Sequence, residues 1–418
     1  MPRVAIARVQ PAPGYLSWWR GASDDAKRAL TAGLLGWMLD AFDVMLLALV
    51  LPAVSSDLAL SRAQAGLLGS VTLIAAAAGG IGFGWIADRF GRTRALMLSV
   101  ALYSVFTAAC GLATSYAQFV AFRILLGLGM GGEWTSGAAL VSESWPAEHR
   151  GKALGLMQSG WAVGYALAAL VSGLVQPRFG WRAVFFIGIL PAFFTLWVQR
   201  RVREPEIWTH RAPGPRGVSA VLLGSLARVT VFLTLMNTCT LFAWWGFNLW
   251  LPSYLKAPAA QGGIGLSASA MSAFVATMQV GMWCGYVTFG FVSDRFGRRR
   301  TYVGYLVAAA VLLGIYVTVR SAPLLLVLGP FVAFAGTGYF SGFGAVTAEL
   351  YPTSIRATAQ GITYNIGRLA SAAAPFIVGS LADTRGFGSA LLLCSAAFVL
   401  AAVMWIWIPE TRGRELAM

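Results

Sequence analysis

Five ionisable residues stand where an apolar chain has least use for them: Asp40, Asp43, Arg123, Glu133 and Arg368. Asp40 and Asp43 interrupt the apolar run 29–54, and a charge at the centre of a membrane helix costs roughly 2.5–3.5 kcal/mol. Three positions apart, they share one helix face. Two carboxylates in one low-dielectric space resist ionising together, so the pair is a candidate proton carrier. Arg123 and Glu133 lie in a second such run, and Arg123 would favour the ionised acid whenever it swings close. Arg368 carries a permanent charge on a planar fork that matches a carboxylate. For either Asp the alternative is a fixed hydrogen bond to a neighbouring helix; for Arg368 it is a permanent ion pair with Asp40, Asp43 or Glu133. Three acids against two bases leave one negative charge, so a monovalent anion would travel with at least one proton.

The elements that hold these residues are written in the composition. The chain has 418 residues, is 58% hydrophobic and only 11% charged, with a mean hydropathy of +0.70. Soluble domains carry about 25% charge, so this is an all-α polytopic membrane protein lodged in a lipid bilayer. Apolar stretches of about 20 residues, the length that crosses a hydrocarbon core, occur at 29–54, 65–86, 95–113, 117–142, 152–175, 181–199, 228–254, 269–292, 301–319, 323–349, 357–382 and 388–408. At ~1.5 Å per residue, Asp40, Asp43 and Arg368 fall near the middle of their stretches. Glu133 falls slightly cytoplasmic of centre, and Arg123 roughly 10 Å toward the outside. All five are expected to face one water-filled space.

The net charge of +15 raises nucleic acid as a partner, but the basic residues sit in loops rather than on one soluble face. Most lie in the tails and in the loops around 89–94, 150–152, 200–228, 295–300, 356 and 412–414, whereas the opposite loops hold Arg62, Arg178, Arg182, Lys256, Arg320 and Arg385. The positive-inside rule then places both termini in the cytoplasm. Trp18 and Trp19 beside Arg20 suit a headgroup surface. The four cysteines, Cys110, Cys239, Cys284 and Cys394, have no metal-like spacing and read as packing residues. No cleaved signal peptide is expected. No nucleotide loop or metal cluster is present, and His149 and His210 lie in cytoplasmic loops, so neither an enzyme nor a cofactor is expected.

The chain repeats itself. Phe83 to Arg92 (FGWIADRFGR) returns as Phe289 to Arg298 (FGFVSDRFGR), and the same offset carries Glu143 onto Glu349, Arg150 onto Arg356 and Gly173 onto Gly379. The expected organisation is a cytoplasmic tail at 1–28, a six-helix bundle at 29–199, a basic, Pro-rich cytoplasmic linker at 200–227, a second six-helix bundle at 228–408 and a tail at 409–418. Parallel repeats of this kind rock around a site at the bilayer midplane. The five ionisable residues within the apolar stretches break the repeat: Arg123 maps onto Gly329, Glu133 onto Tyr339, and Arg368 back onto Ala162. They are therefore candidates for this chain's own chemistry.

The doubled G-x-x-x-D-R-x-G-R-x-R loops at 84–94 and 290–300, with the Glu-x6-Arg pairs at 143–150 and 349–356, resemble the major facilitator superfamily over nearly the whole chain. The resemblance implies twelve transmembrane helices in two pseudo-symmetric bundles, normally a monomer, in the cell inner membrane. It also implies a cytoplasmic gate of Asp88, Arg92, Glu143 and Arg150 with Asp294, Arg298, Glu349 and Arg356, latching an outward-open state; simple anchoring of helix ends is the alternative. On the helices that line the cavity in that family stand Gln158, Trp161, Tyr165, Trp244, Asn248, Gln279, Tyr339, Tyr364 and Asn365. With Arg368 they suit a small carboxylate with an apolar or ring-shaped body.

Asp40-Ala41-Phe42-Asp43 resembles the D-G-x-D signature of the aromatic acid–proton symporters and of the sialate and lactate–proton symporters, with Ala in the second place. The stretches 123–133, 142–146 and 180–191 look most like the sialate and monocarboxylate branch. That implies inward symport of a small organic acid anion with protons, with Asp40, Asp43, Arg123 and Glu133 in coupling. Pro409-Glu410-Thr411-Arg412-Gly413 is similar to the end of sugar porters, so a neutral metabolite–proton symporter is an alternative, but the seventh apolar stretch, 228–254, lacks their paired glutamines. A non-transporting membrane receptor for such an acid is the rival of another class.

Overall fold

Where the repeat demands a reversal of direction, the backbone uses glycine in the left-handed region. Gly91 (φ 118°) and Gly297 (φ 101°) turn the chain between two antiparallel helices, and Gly180 (φ 76°) and Gly386 (φ 80°) do the same three reversals further on. A side chain at such a φ is strained, so the repeat is carried by backbone geometry as well as by residue type.

A computed structural model describes residues 17–60, 62–210, 217–222, 226–259 and 263–417. Most of the expected N-terminal tail and much of the linker lie outside the described residues. A short helix, α1 (Ser17–Arg20), precedes α2 (Asp24–Asp57), α3 (Arg62–Phe90), α4 (Arg92–Cys110) and α5 (Tyr116–Ser144). α6 (Arg150–Ile187) folds back at Gly180 and leads through a break into α7 (Leu190–Arg201). The short α8 (Glu206–Thr209) and α9 (Val218–Leu222) follow, then α10 (Ala227–Lys256), α11 (Ala268–Phe296) and α12 (Arg298–Thr318). α13 (Ala322–Gly338) and α14 (Phe340–Leu350) are one pass broken at Tyr339. α15 (Arg356–Ser371) ends mid-pass, and α16 (Ala374–Met404) completes that pass, turns at Gly386 and makes the last one.

Among the described residues, nine helical stretches are long and apolar enough to cross a membrane. One of them, Arg150–Arg201, reverses at Gly180 and counts as two passes. The α5 pass, carrying Arg123 and Glu133, and the α15 pass, carrying Arg368, bring the total to the expected twelve. α15, at 16 residues, is too short to count alone, and α5 carries Arg123 and Glu133 among its apolar residues.

Small residues let the helices approach closely, as lipid-embedded packing requires. A Cβ on Gly131 would strike the Ala76 carbonyl oxygen and one on Gly79 that of Leu128, joining α3 to α5; Gly281 and Gly285 lie as close to Pro330 and Phe334, joining α11 to α13. The two halves meet by the same device: Gly84 of α3 lies against Ala357 and Thr358 of α15, and Gly290 of α11 against Gly151 and Lys152 of α6.

The Trp18–Trp19 pair departs from its expected place at a headgroup surface. Trp18 is buried, with ring centroids 5.1 Å from Trp145 at the end of α5 and 6.1 Å from Phe291 of α11. Three large rings find more apolar surface in each other than in the interface, so the segment bridges the two halves on the cytoplasmic side. The four cysteines are free.

Candidate functional site

Asp43 of α2 turns toward α4. The Thr107 hydroxyl lies 3.0 Å from Asp43 Oδ2 and 2.8 Å from the Tyr103 carbonyl oxygen, which can only accept. Thr107 has a single hydrogen to donate. Either Thr107 shares that hydrogen between the two acceptors, or it donates to the carbonyl and accepts from a protonated Asp43. Arg123 lies within electrostatic reach of Asp43; its Nε donates to Thr72 Oγ1 at 2.9 Å, and its Nη1 is buried with no partner. Asp43 and Arg123 thus lie inside the first bundle, among α2, α3, α4 and α5, rather than in one space shared by all five groups.

Asp40 and Glu133 form a second cluster. Glu133 is fully buried, neither of its oxygens has a hydrogen-bond partner, and its carboxylate lies against Gly36, one turn from Asp40 on the same face of α2. Asp40 is also buried, with Oδ1 unpartnered, and interacts electrostatically with Arg368.

Arg368 is half-buried in the last turn of α15, with its guanidinium 4.9 Å from the centroid of the Tyr364 ring. Among the described residues no carboxylate lies within the 4.0 Å of an ion pair with it. Tyr364 in turn stacks on Trp134 of α5 at 4.4 Å, and Phe343 of α14 joins them at 5.7 Å from Trp134. Trp134 Nε1 donates to Gln158 Oε1 at 3.2 Å, and Gln158 is hydrogen-bonded to Tyr286 of α11. This layer joins both halves directly beneath Arg368. Trp161 pairs with Trp37 of α2 at 4.8 Å, and Tyr165, one turn further along α6, is half-buried.

Other candidates are committed elsewhere. Asn365 Nδ2 donates to the Gly361 carbonyl and presses on Gly80 of α3, so it holds a helix contact. Tyr339 donates its hydroxyl to the Thr240 carbonyl at 3.2 Å and packs with Tyr302 and Phe340, within the second bundle; Trp244 packs there on Gly336 and Phe247. Asn248 and Gln279 are half-buried, and Gln279 Oε1 has no partner. The residue-type reading missed Tyr103, Thr107, Trp134, Tyr286 and Trp37.

On the cytoplasmic side, the eight gate residues form two matching networks across the halves. Arg92 donates to Asp88 at 2.7 Å and Glu143 at 2.8 Å, and Arg356 of the other half reaches the same Glu143 at 2.5 Å. Arg298 donates to Asp294 at 2.5 Å and Glu349 at 2.9 Å, and Arg150 crosses to Glu349 at 3.1 Å. Asp88 also accepts from the backbone N–H groups of Ala357 (3.1 Å) and Thr358 (2.8 Å), and Asp294 from those of Gly151 (3.1 Å) and Lys152 (3.0 Å). Each Asp therefore caps the first turn of the opposite half's helix, where a negative charge is favoured. Outside the membrane, Glu204 accepts from the N–H groups of Arg92, Thr93 and Arg94, and Glu410 from those of Arg298, Arg299, Thr411 and Arg412. Burial raises the Glu204 pKa against its donors, whereas at the more exposed Glu410 burial is outweighed by the backbone donors, which hold it below the ordinary glutamate range.

The family model of the Major Facilitator Superfamily matches residues 33–260 and 255–417. The chain belongs to the major facilitator superfamily. It is accordingly a multi-pass protein of the cell inner membrane and not an enzyme. It is similar to a cis,cis-muconate transport protein of Acinetobacter baylyi, 32% identical over 90% of this chain and 93% of the relative. It is also similar to the sialic acid transporter NanX of Escherichia coli, 28% identical over 93% and 96%. Among solved structures the proton:xylose symporter XylE superposes with a TM-score of 0.77 at 21% identity, over 94% of this chain and 98% of that one. At that identity the likeness concerns the major facilitator fold alone.

Proposed function

We propose that this protein imports a small organic carboxylate together with protons by alternating access, acting as a monomer. Arg368 binds the substrate carboxylate, and the aromatic layer of Tyr364, Trp134 and Phe343 receives its apolar body. Asp43 carries a proton, with Arg123 close enough to favour its release. The observation that carries the reading is a half-buried guanidinium at the junction of the two halves with no carboxylate in ion-pair contact. A half-buried charge that has only the Tyr364 ring and a carboxylate outside ion-pair distance beside it is incompletely compensated, and an incoming carboxylate supplies a direct partner. The Thr107 geometry, which accommodates a proton on Asp43, supports the coupling.

The named cargoes of relatives, cis,cis-muconate and sialic acid, are carboxylic acids, which favours an acid over a neutral sugar; a sugar would leave Arg368 uncompensated. A thermal-shift series with cis,cis-muconate, sialic acid, nicotinate, benzoate, lactate and xylose tests the assignment. Ligand at 100 times its Kd stabilises the folded state by about 2.7 kcal/mol, so at least one acid raises the melting temperature and xylose does not. A shift with xylose alone would overturn the assignment. A receptor would bind the acid without moving it into proteoliposomes.

A further inference from the structure

We propose that two segments outside the twelve passes, residues 17–20 and 411–417, strap the closed cytoplasmic face from opposite halves and hold it shut in addition to the gate ion pairs. The inference rests on the alternating-access reading above and on no particular cargo.

Each segment is fixed to its own half and touches the other. Residues 17–20 lead into α2, and Trp18 and Trp19 pack on Trp145 at the end of α5 with ring centroids 5.1 Å and 6.1 Å away. Trp145 Nε1 donates to the Ala26 carbonyl at 2.9 Å, so this anchorage lies within the first half. Trp18 also meets Phe291 of α11 edge-on at 6.1 Å, and Lys152 of α6 brings its ammonium to 5.8 Å from the same ring. Phe291 of the second half is thus held by two residues of the first. Trp18 is buried; parting the halves would take Phe291 away and return ring surface to water, which is unfavourable in proportion to the apolar area exposed.

The second segment does the same with hydrogen bonds. Thr411 Oγ1 donates to Glu349 Oε2 at 2.6 Å, and the Ala417 carbonyl accepts from Thr353 N (3.0 Å), Thr353 Oγ1 (2.8 Å) and Arg356 Nη2 (3.2 Å), all within the second half. The Arg414 carbonyl reaches the first half, accepting from Arg150 Nη1 at 3.3 Å. Arg150 and Arg356 are the two arginines that cross between the halves in the gate, so this segment satisfies donors that the gate carboxylates leave over. A buried donor without an acceptor is costly. When the halves part, Arg150 leaves with the first and its bond to Arg414 breaks, while the bonds to Ala417 travel with the second. The straps therefore favour the state closed to the cytoplasm, and the apparent affinity for a ligand arriving from outside follows the population of that state.

Distances between spin labels attached through Glu148→Cys and Arg300→Cys, two exposed cytoplasmic positions in opposite halves, read that population in lipid nanodiscs without any substrate, once the native cysteines are replaced by alanine. Trp18→Ala should raise the ratio of open to closed cytoplasmic distances at least about threefold. Phe291→Ala should reproduce the rise from the other side of the contact, and Trp18→Phe, which keeps a ring, should restore most of the native ratio. Removal of residues 414–418 should raise the ratio separately, and its effect should multiply with that of Trp18→Ala because the two contacts share no partner. Glu143→Gln, which breaks a gate pair, is the reference for opening. Opening by Glu143→Gln with no change in either Trp18→Ala or the shortened chain overturns the proposal, as does a rise in Trp18→Ala that Phe291→Ala does not share. Absence of opening in every variant, Glu143→Gln included, removes the alternating-access reading and the straps with it.

Discussion

In the proposed cycle Arg368 and Asp43 divide the work between them, one holding an anion and the other a proton. Arg368→Lys keeps the charge but loses the two-pronged geometry, so the KM for the transported carboxylate should rise at least tenfold in uptake assays; an unchanged KM would move the anion site elsewhere. Asp43→Asn should abolish uptake driven by a proton gradient while leaving exchange of preloaded substrate intact, and acid-stimulated uptake at the native rate would remove Asp43 from the coupling. Which polar residues gather at the membrane centre was partly legible in the sequence. The five ionisable groups stood out because they break the internal repeat. The neutral ones obey the same rule, since Tyr103 maps onto Ala309, Thr107 onto Leu313 and Tyr286 onto Gly80, but an uncharged polar residue in a helix carries no insertion cost large enough to mark it. Asn365 shows the converse limit, for adjacency to Arg368 in sequence says nothing about which face of α15 touches α3.

At the scale of elements, the gate joins helix ends. The side chains of Asp88, Arg92, Glu143 and Arg356 are all buried, and removing one partner from such a network leaves an uncompensated charge worth roughly 3–5 kcal/mol. Glu143→Ala should therefore lower thermal stability by an amount of that order and expose cytoplasmic cysteine probes placed on α15; intact stability with unchanged probe access would reduce the network to helix anchoring. The Glu204 and Glu410 caps are smaller. Replacing either by Ala should cost about 1 kcal/mol of stability, as lost N-caps do, read from thermal unfolding in detergent. Because the Glu410 pKa is depressed in the fold, its contribution is present above the ordinary glutamate value and disappears as the pH falls through the lower folded value. Helix existence and the reversals at Gly91 and Gly297 followed from apolar length and the doubled motif. The breaks at Tyr339 and after Ser371 did not, because both segments remain apolar enough to read as continuous spans.

For the molecule as a whole, the two halves are alike in frame and unlike in charge. The repeat supplies matched helices, matched gates and matched close contacts at Gly84 and Gly290, while the acids at the membrane centre are confined to the first half and Arg368, from the second, lies within electrostatic reach of one of them, Asp40. The described contacts between halves run from the gate up to the Trp134–Tyr364 stack, closing the cytoplasmic side beneath Arg368. That arrangement suits capture from outside followed by rocking of one bundle on the other. The most direct test is uptake by purified protein in proteoliposomes with a proton gradient directed inward and no other ion gradient, using cis,cis-muconate, sialic acid and nicotinate against xylose. The account predicts that at least one acid accumulates above its external concentration, that a protonophore abolishes the accumulation, and that Arg368→Gln does the same. Accumulation of xylose alone, or acid uptake indifferent to the proton gradient, would contradict it.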